Sequence, residues 1–220
     1  MKSVLHKEIL CFDMDNTLVY AANAHVLAFK KAFAKHKLKK KTNKQILNQF
    51  SQVSHTLVHK LYPKISEKEV KAVVKTHDRI FLTETKKKVK PIKAAKNTLH
   101  KLRKQYKLAL VSNGKRKEIN ATLKQGKINP KLFSSILGND QVKHPKPAPD
   151  EIIKTEHLLK IKKGYMIGDS IYDIRAGKRA KLRTIAVCTG PDTKNKLKKE
   201  KPTRIIKSLA QLPALLSQSH

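Results

Sequence analysis

Ile9-Leu10-Cys11-Phe12-Asp13-Met14-Asp15-Asn16-Thr17-Leu18-Val19 is the stretch on which the reading of this chain turns. Its four apolar residues, Ile9 to Phe12, form the short unbroken run of a strand buried on both faces, and the run stops at Asp13, with Asp15 two positions on. Asp, Asn and Thr all favour turns, so an acidic turn closing a strand is one reading. The other is chemical, because in an open α/β sheet the ligand crevice lies beyond the carboxyl ends of the strands. Acid usage favours the second. The chain has eight Asp among 220 residues, and four of them fall in two short stretches, Asp13 with Asp15 and Asp169 with Asp173.

Beyond Val19 the pattern changes to helix. Val26, Phe29 and Phe33 recur three or four apart up to about His36; Thr42 with Gln45 and Ser66 with Glu69 have capping-box spacing; and Val70, Val73, Val74, His77, Ile80 and Phe81 form a helical stripe. Residues 21–88 read as helices only, ending in the run Lys86 to Lys88 and Pro91. Strands and helices then alternate. A helix with Ile92, Ala95, Leu99 and Leu102 precedes the strand Leu108–Val111; a helix with Ile119 and Leu123 stops at Gly126, read as a helix-terminating glycine; a strand follows at Phe133–Leu137. After the loop Lys143–Pro149 come a helix through Leu159, the strand Tyr165–Ile167, a helix with Ile174 and a closely packing Gly177, the strand Thr184–Val187, a Lys-rich loop, a short strand near Ile205 and a last helix through Leu216. Such alternation predicts a parallel, three-layer α/β core formed by residues 1–19 and 90–220, with an all-helical unit, residues 20–89, inserted into it.

Composition bounds the function. No apolar run approaches the roughly 18 residues of a membrane span, and Met1–Glu8 lacks the apolar region of a signal peptide, so a soluble cytoplasmic protein is expected. Cys11 and Cys188 read as small buried thiols, and ten His without a His-x-His pair or a Cys-x-x-Cys argue against zinc. The net charge of +34 suggests a polyanion partner, but the excess is spread along the chain: residues 20–91 carry 17 Lys and one Arg against four acids. The blocks Lys37–Lys41 and Lys194–Lys201 read as solvated loops, and no specific nucleic-acid partner is expected.

Four strand ends now carry polar residues: Asp13 and Asp15; Ser112 and Asn113; Lys146 in the loop after the third strand; Asp169 and Asp173. Parallel strands bring these ends to one edge. Several carboxylates, a lysine and a hydroxyl suit Mg²⁺ shared with a phosphate, and phosphoryl transfer asks mainly for charge stabilisation and in-line positioning.

On these motifs the chain resembles the haloacid dehalogenase superfamily. The resemblance rests on Asp13-Met14-Asp15-Asn16-Thr17, on Ser112 in Val-Ser-Asn-Gly, on Lys146 in Lys-Pro-Ala-Pro-Asp150 and on Gly168-Asp-Ser-Ile-Tyr-Asp173, in order across residues 9 to about 190. It implies a Rossmann-like core and a helical cap at residues 20–89, similar to the phosphoglycolate phosphatase and β-phosphoglucomutase branch. By the same resemblance Asp13 is the nucleophile forming an aspartyl-phosphate and Asp15 the general acid and base. Mg²⁺ would be held by the Asp13 carboxylate, the Asp15 backbone carbonyl and Asp169; Ser112, the Asn113 amide and Lys146 would bind phosphoryl oxygens; Thr17 would brace the loop and Asp173 would support the metal site from behind.

Departures from the family pattern bear on substrate. Asn16 stands where Gly is common, and it tolerates a left-handed backbone. Tyr20 stands where many relatives have Asp, and Gln49–Gln52 where the cap's substrate loop often has Gly. His25 lies where some mutase-branch relatives carry a His, although a single His on an amphipathic helix is commonly a packing residue. The expectation is a Mg²⁺-dependent phosphatase acting on a small phosphorylated metabolite, phosphoglycolate-like or a sugar phosphate. A phosphomutase and a polyanion-binding protein on the same scaffold are the alternatives.

Overall fold

The computed structural model describes residues 8–85 and 88–218. The expected lysine run at Lys86 and Lys87 and most of the N-terminal segment read for a signal peptide lie outside them. A six-stranded parallel sheet forms the centre, built from β1 (Ile9–Phe12), β4 (Lys107–Ser112), β5 (Ser135–Gly138), β6 (Gly164–Gly168), β7 (Arg183–Val187) and β8 (Arg204–Ile206) in the order β5-β4-β1-β6-β7-β8. β1 is central. The chain fills one side of it with β4 and β5 and then the other with β6, β7 and β8, so the carboxyl end of β1 lies where the strand order reverses, the place where such sheets open a ligand crevice.

Alternation along β1 explains the layers. Leu10 and Phe12 point with Leu108, Leu110 and Ile167 to a face covered by α5 (Ala95–Leu102), α6 (Arg116–Gln125) and α10 (Leu212–Ser217). Ile9 and Cys11 point with Ala109, Val111 and Met166 to the opposite face, under α7 (Asp150–Leu159) and α8 (Ile171–Arg179). Cys11 is buried and Cys188 partly so; both are free thiols, and β6 separates their strands.

From Ala22 to Glu84 the regular elements are all helices: α1 (Ala22–Lys35), α2 (Asn43–Leu47), α3 (Ser54–Leu61) and α4 (Glu67–Glu84). Both expected capping boxes form, at Thr42 and at Ser66, and α1 packs along α4 through Phe29, Phe33 and Phe81. The structure adds one element to the sequence reading here, a two-stranded antiparallel ribbon of β2 (Val19–Tyr20) and β3 (Lys90–Pro91) where the helical segment leaves and rejoins the core. Tyr20 is thus strand, while α3 falls within the span expected to be helical.

One further expectation is corrected. The Lys-rich segment after β7 contains α9 (Lys194–Lys199), started by the Thr193 hydroxyl accepting from the Lys196 N–H and anchored by buried Leu197. α6 stops at Gly126 as expected, with a right-handed φ of −71°, and Lys127 after it takes the left-handed conformation at φ 52°. Space is what Gly126 supplies, since a Cβ there would lie 2.7 Å from Val19 Cγ1. Gly177 plays its expected part on α8, where a Cβ would sit 2.7 Å from both Met166 Cβ and Thr184 Cγ2. Gly177→Ala is therefore expected to cost about 1–3 kcal/mol, as overpacking does, in urea unfolding. Unchanged stability would contradict this helix-to-sheet packing.

Candidate active site

Just past β1 the backbone turns sharply. Asn16 carries the turn at φ 58°, the Asn16 N–H donates to the Val19 carbonyl, and the Leu18 and Val19 N–H groups donate to the Met14 carbonyl. The tolerance read for Asn16 is thus used, and the turn holds Asp13 and Asp15 in one cleft. Ser112, Asn113, Lys146, Asp169 and Asp173 line it as well. All the strand-end residues singled out in the sequence meet at this one edge.

Lys146 is the hub. Its buried ammonium donates to Asp13 Oδ1 at 2.6 Å, to Asp173 Oδ1 at 2.7 Å and to the Val111 carbonyl at 3.0 Å. Burial alone would lower the lysine's pKa, but the two carboxylates reverse that and raise it, so the ammonium stays charged. Asp173 Oδ2 accepts from the Ser170 hydroxyl at 2.6 Å, which fixes the first turn of α8, and Thr17 Oγ1 donates to Asp169 Oδ1 at 3.1 Å. Ser112 Oγ accepts from the Gly114 N–H at 3.1 Å, while Asn113 Nδ2 ties the Lys146 carbonyl at 3.0 Å to that of Ser51 at 2.9 Å.

Burial raises Asp13, Asp15 and Asp169 at the cleft floor. Asp13 is pushed up to about 6, by burial and by Asp173 against the pull of Lys146, and stays largely ionised at neutral pH. Asp15 reaches about 8, from burial and then from the charge of Asp13, and is a carboxylic acid at neutral pH. Asp169 is raised well above the carboxylate range by burial and by Asp13 and Asp173. The two acids of the first motif are therefore raised to different extents, Asp15 above Asp13.

The acids also fit a hard cation. Asp13, Asp169 and Asp173 each bring a carboxylate oxygen within 4.8 Å of the others, and Lys146 supplies one positive charge among the three. These three offer only oxygen donors, the kind of set a hard cation such as Mg²⁺ takes. Asp173 has both oxygens engaged by Lys146 and Ser170, leaving Asp13 and Asp169 as the freer donors.

Sequence reasoning missed several residues here. Gly190, after β7, leaves room for a carboxylate, since a Cβ there would fall 1.6 Å from Asp169 Oδ2; a glycine just past a strand end was the available signal. It also missed His77, Asp78, Lys115 and Glu118, which form a polar cluster behind the cleft. His77 looked like one more position of the α4 stripe, and Lys115 like one of many lysines.

A family model described as haloacid dehalogenase-like hydrolase matches residues 10–187. The chain belongs to this family. It is 27% identical over 163 residues to the pyrophosphatase PpaX of Bacillus thuringiensis (strain Al Hakam), a match covering 73% of this chain and 75% of that protein. Among solved structures it superimposes on a hydrolase from Pseudomonas syringae with a TM-score of 0.86 at 20% identity, covering 96% of this chain and 98% of the other. A predicted phosphoglycolate phosphatase from Haemophilus somnus 129pt gives 0.83 at 21% identity, covering 97% and 100%. These likenesses share the fold, and the family makes the chain a hydrolase. No helix among the described residues is long and apolar enough to cross a membrane.

Glu118 offers a check on these electrostatics. Burial, and then the charge of Asp78, push its pKa up to about 8 from an ordinary 4.5. The folded chain thus keeps a proton that the unfolded chain releases, so this contribution to stability is complete below about 4.5 and is lost as pH rises toward 8. Glu118→Gln keeps an acceptor for the Lys115 N–H and should gain stability over the parent protein at pH 8 but little at pH 4.5, measured by urea unfolding. A gain independent of pH would contradict the assigned protonation.

Proposed function

We propose that the chain is a Mg²⁺-dependent phosphatase that hydrolyses a small phosphorylated metabolite through an aspartyl-phosphate on Asp13. The observation that carries this reading is the pair of unlike acids two residues apart at the end of β1, one ionised against Lys146 and one protonated, facing the same cleft.

In this reading an Asp13 carboxylate oxygen attacks phosphorus and the bond to the leaving oxygen breaks, while Asp15 gives that oxygen its proton. The alcohol departs, and Asp15, now a carboxylate, takes a proton from the water that attacks the aspartyl-phosphate, releasing inorganic phosphate and restoring Asp13. Lys146 stays charged throughout and offsets the negative charge on the transferring group, with Ser112 and the Asn113 amide as further donors from the β4 end. Mg²⁺, held by Asp13, Asp169 and the Asp15 carbonyl with Asp173 behind them, supplies charge neutralisation of the phosphoryl oxygens when bound. Thr17 keeps Asp169 turned toward the cleft.

Residues 20–89 serve as a cap on the core of residues 1–19 and 90–220, with the β2–β3 ribbon as the joint. Phe50 and Gln52 from the helical segment line the same cleft as Asp13, which supports this division. Closing such a cap excludes water and selects the leaving group. The names of the relatives, a pyrophosphatase and a predicted phosphoglycolate phosphatase, support small phosphate compounds as the substrate class.

A panel of phosphate esters with Mg²⁺, read by released phosphate, tests the proposal directly; no release from any of them would overturn it. Asp13→Asn should abolish turnover while leaving the fold intact, because it removes one of several crowded acids. Activity within tenfold of the parent protein would remove Asp13 as nucleophile.

Asp15→Asn should slow single-turnover formation of the intermediate far more for alkyl phosphates than for p-nitrophenyl phosphate, whose leaving group departs unprotonated. General acid catalysis typically contributes ~10²–10⁴-fold. Equal slowing of the two would take Asp15 out of the acid role.

A further inference from the structure

A chain of polar side chains, buried at His25 and His77, leaves the cleft through the helical segment, and nothing in the phosphatase chemistry uses it. His25 on α1 has its Nε2 4.0 Å from Asp15 Oδ2, and its Nδ1 lies 3.1 Å from His77 Nε2 on α4. His77 Nδ1 lies 2.9 Å from Asp78 Oδ1, and Lys115 at the start of α6 donates to Asp78 Oδ2 at 2.6 Å. The rings are held in place by packing: His25 stacks on Phe81 at 4.0 Å between centroids and His77 on Phe29 at 3.9 Å.

The tautomers follow link by link. Asp78 is an ionised carboxylate, drawn down to about 2 by His77 and Lys115 against the effect of burial, and a carboxylate can only accept. His77 Nδ1 must therefore carry a hydrogen. Burial keeps both imidazoles neutral, so His77 Nε2 is bare and His25 Nδ1 carries the hydrogen between them. His25 Nε2 is left as a lone pair facing the cleft. At 4.0 Å from Asp15 it is too far for a hydrogen bond, so its acceptor capacity is open to whatever enters beside the proton donor.

The charge of the cleft points the same way. In a chain of net charge +34, Lys146 is the one cation among the described residues lining the cleft, and its ammonium already serves Asp13, Asp173 and the Val111 carbonyl. Lys115 is committed to Asp78. The helical side of the cleft offers His25, Phe29, Phe50, Gln52 and Leu57, none of them charged.

We propose that His25 Nε2, fixed as a bare acceptor by His77, Asp78 and Lys115, is a specificity-determining atom that receives a hydroxyl of the leaving group. The cleft accordingly selects esters whose leaving group carries neutral hydroxyls, and disfavours a leaving group bearing a carboxylate or a second phosphate. An anionic oxygen there would face a lone pair with no cation to meet it. This inference rests on the phosphatase reading and narrows it away from the substrates named for the relatives above.

The test has three arms. Long-range proton–nitrogen spectra of the full-length protein with ¹⁵N-labelled histidine, at neutral pH, should show Nδ1 protonated and Nε2 unprotonated in both His25 and His77; a protonated His25 Nε2 overturns the proposal. With Mg²⁺, kcat/KM for glycerol phosphate and a hexose phosphate should exceed that for phosphoglycolate and pyrophosphate by about tenfold or more, as a mismatched buried hydrogen bond requires. An equal or opposite ratio overturns the selection while leaving the phosphatase reading standing. No turnover of any ester, p-nitrophenyl phosphate included, removes that reading and the selection with it. In the third arm Asp78→Asn supplies an amide N–H to His77 Nδ1, which inverts both tautomers and turns His25 Nε2–H toward the cleft. The ratio should then fall by about tenfold, and an unchanged ratio with inverted tautomers contradicts the role of His25. If Asp78→Asn does not fold, the nitrogen shifts and the substrate ratio of the parent protein decide.

Discussion

One buried ammonium holds this structure's functional edge together. Lys146 sits between Asp13 and Asp173, with Asp169 beside them, and leaving any of these charges unpaired inside a sheet edge would be costly. Three acids against one lysine leave the edge short of positive charge. The deficit is what makes the site receptive both to a divalent cation and to chemistry that moves negative charge, and the other features serve it: the Asn16 turn aims the acids, Thr17 and Ser170 orient Asp169 and Asp173, and Gly190 leaves them room.

The position of that edge follows from the sheet. β1 is fully buried in the centre, and the chain reverses its direction of growth on either side of it, so a crevice opens where Asp13 emerges. The helical segment then lies over the crevice, supplying Phe50, Gln52 and His25 to its wall. Two histidines and an aspartate connect that wall to Lys115 on α6, so the helical segment and the core meet in a charged link, Asp78 with Lys115, as well as in apolar packing.

What was legible in the sequence was local or strongly patterned. The strand at Ile9–Phe12, the capping boxes at Thr42 and Ser66 and the acids after β1 and β6 each declare themselves within a few residues, and parallel topology does the rest by bringing strand ends together. What escaped depends on partners far along the chain. Two-residue strands such as Val19–Tyr20 have no period of their own and exist because Lys90–Pro91 lies alongside. The helix Lys194–Lys199 reads as a charged loop until Leu197 finds its buried place under α8. His25 and His77 are 52 residues apart, and nothing in either helix announces that their rings share a proton. The stop of α6 at Gly126 was legible, whereas the close approach of Val19 that excludes a side chain there was not.

The central claim is that Asp13 becomes phosphorylated during turnover. Rapid acid quenching of the Mg²⁺-loaded protein with a ³²P-labelled phosphate ester, followed by peptide mapping, measures this most directly. The account predicts acid-stable, hydroxylamine-labile label on the peptide that contains Asp13, formed before phosphate appears in solution. Phosphate release in a single turnover without protein-bound label, or with label on a residue other than Asp13, would contradict it.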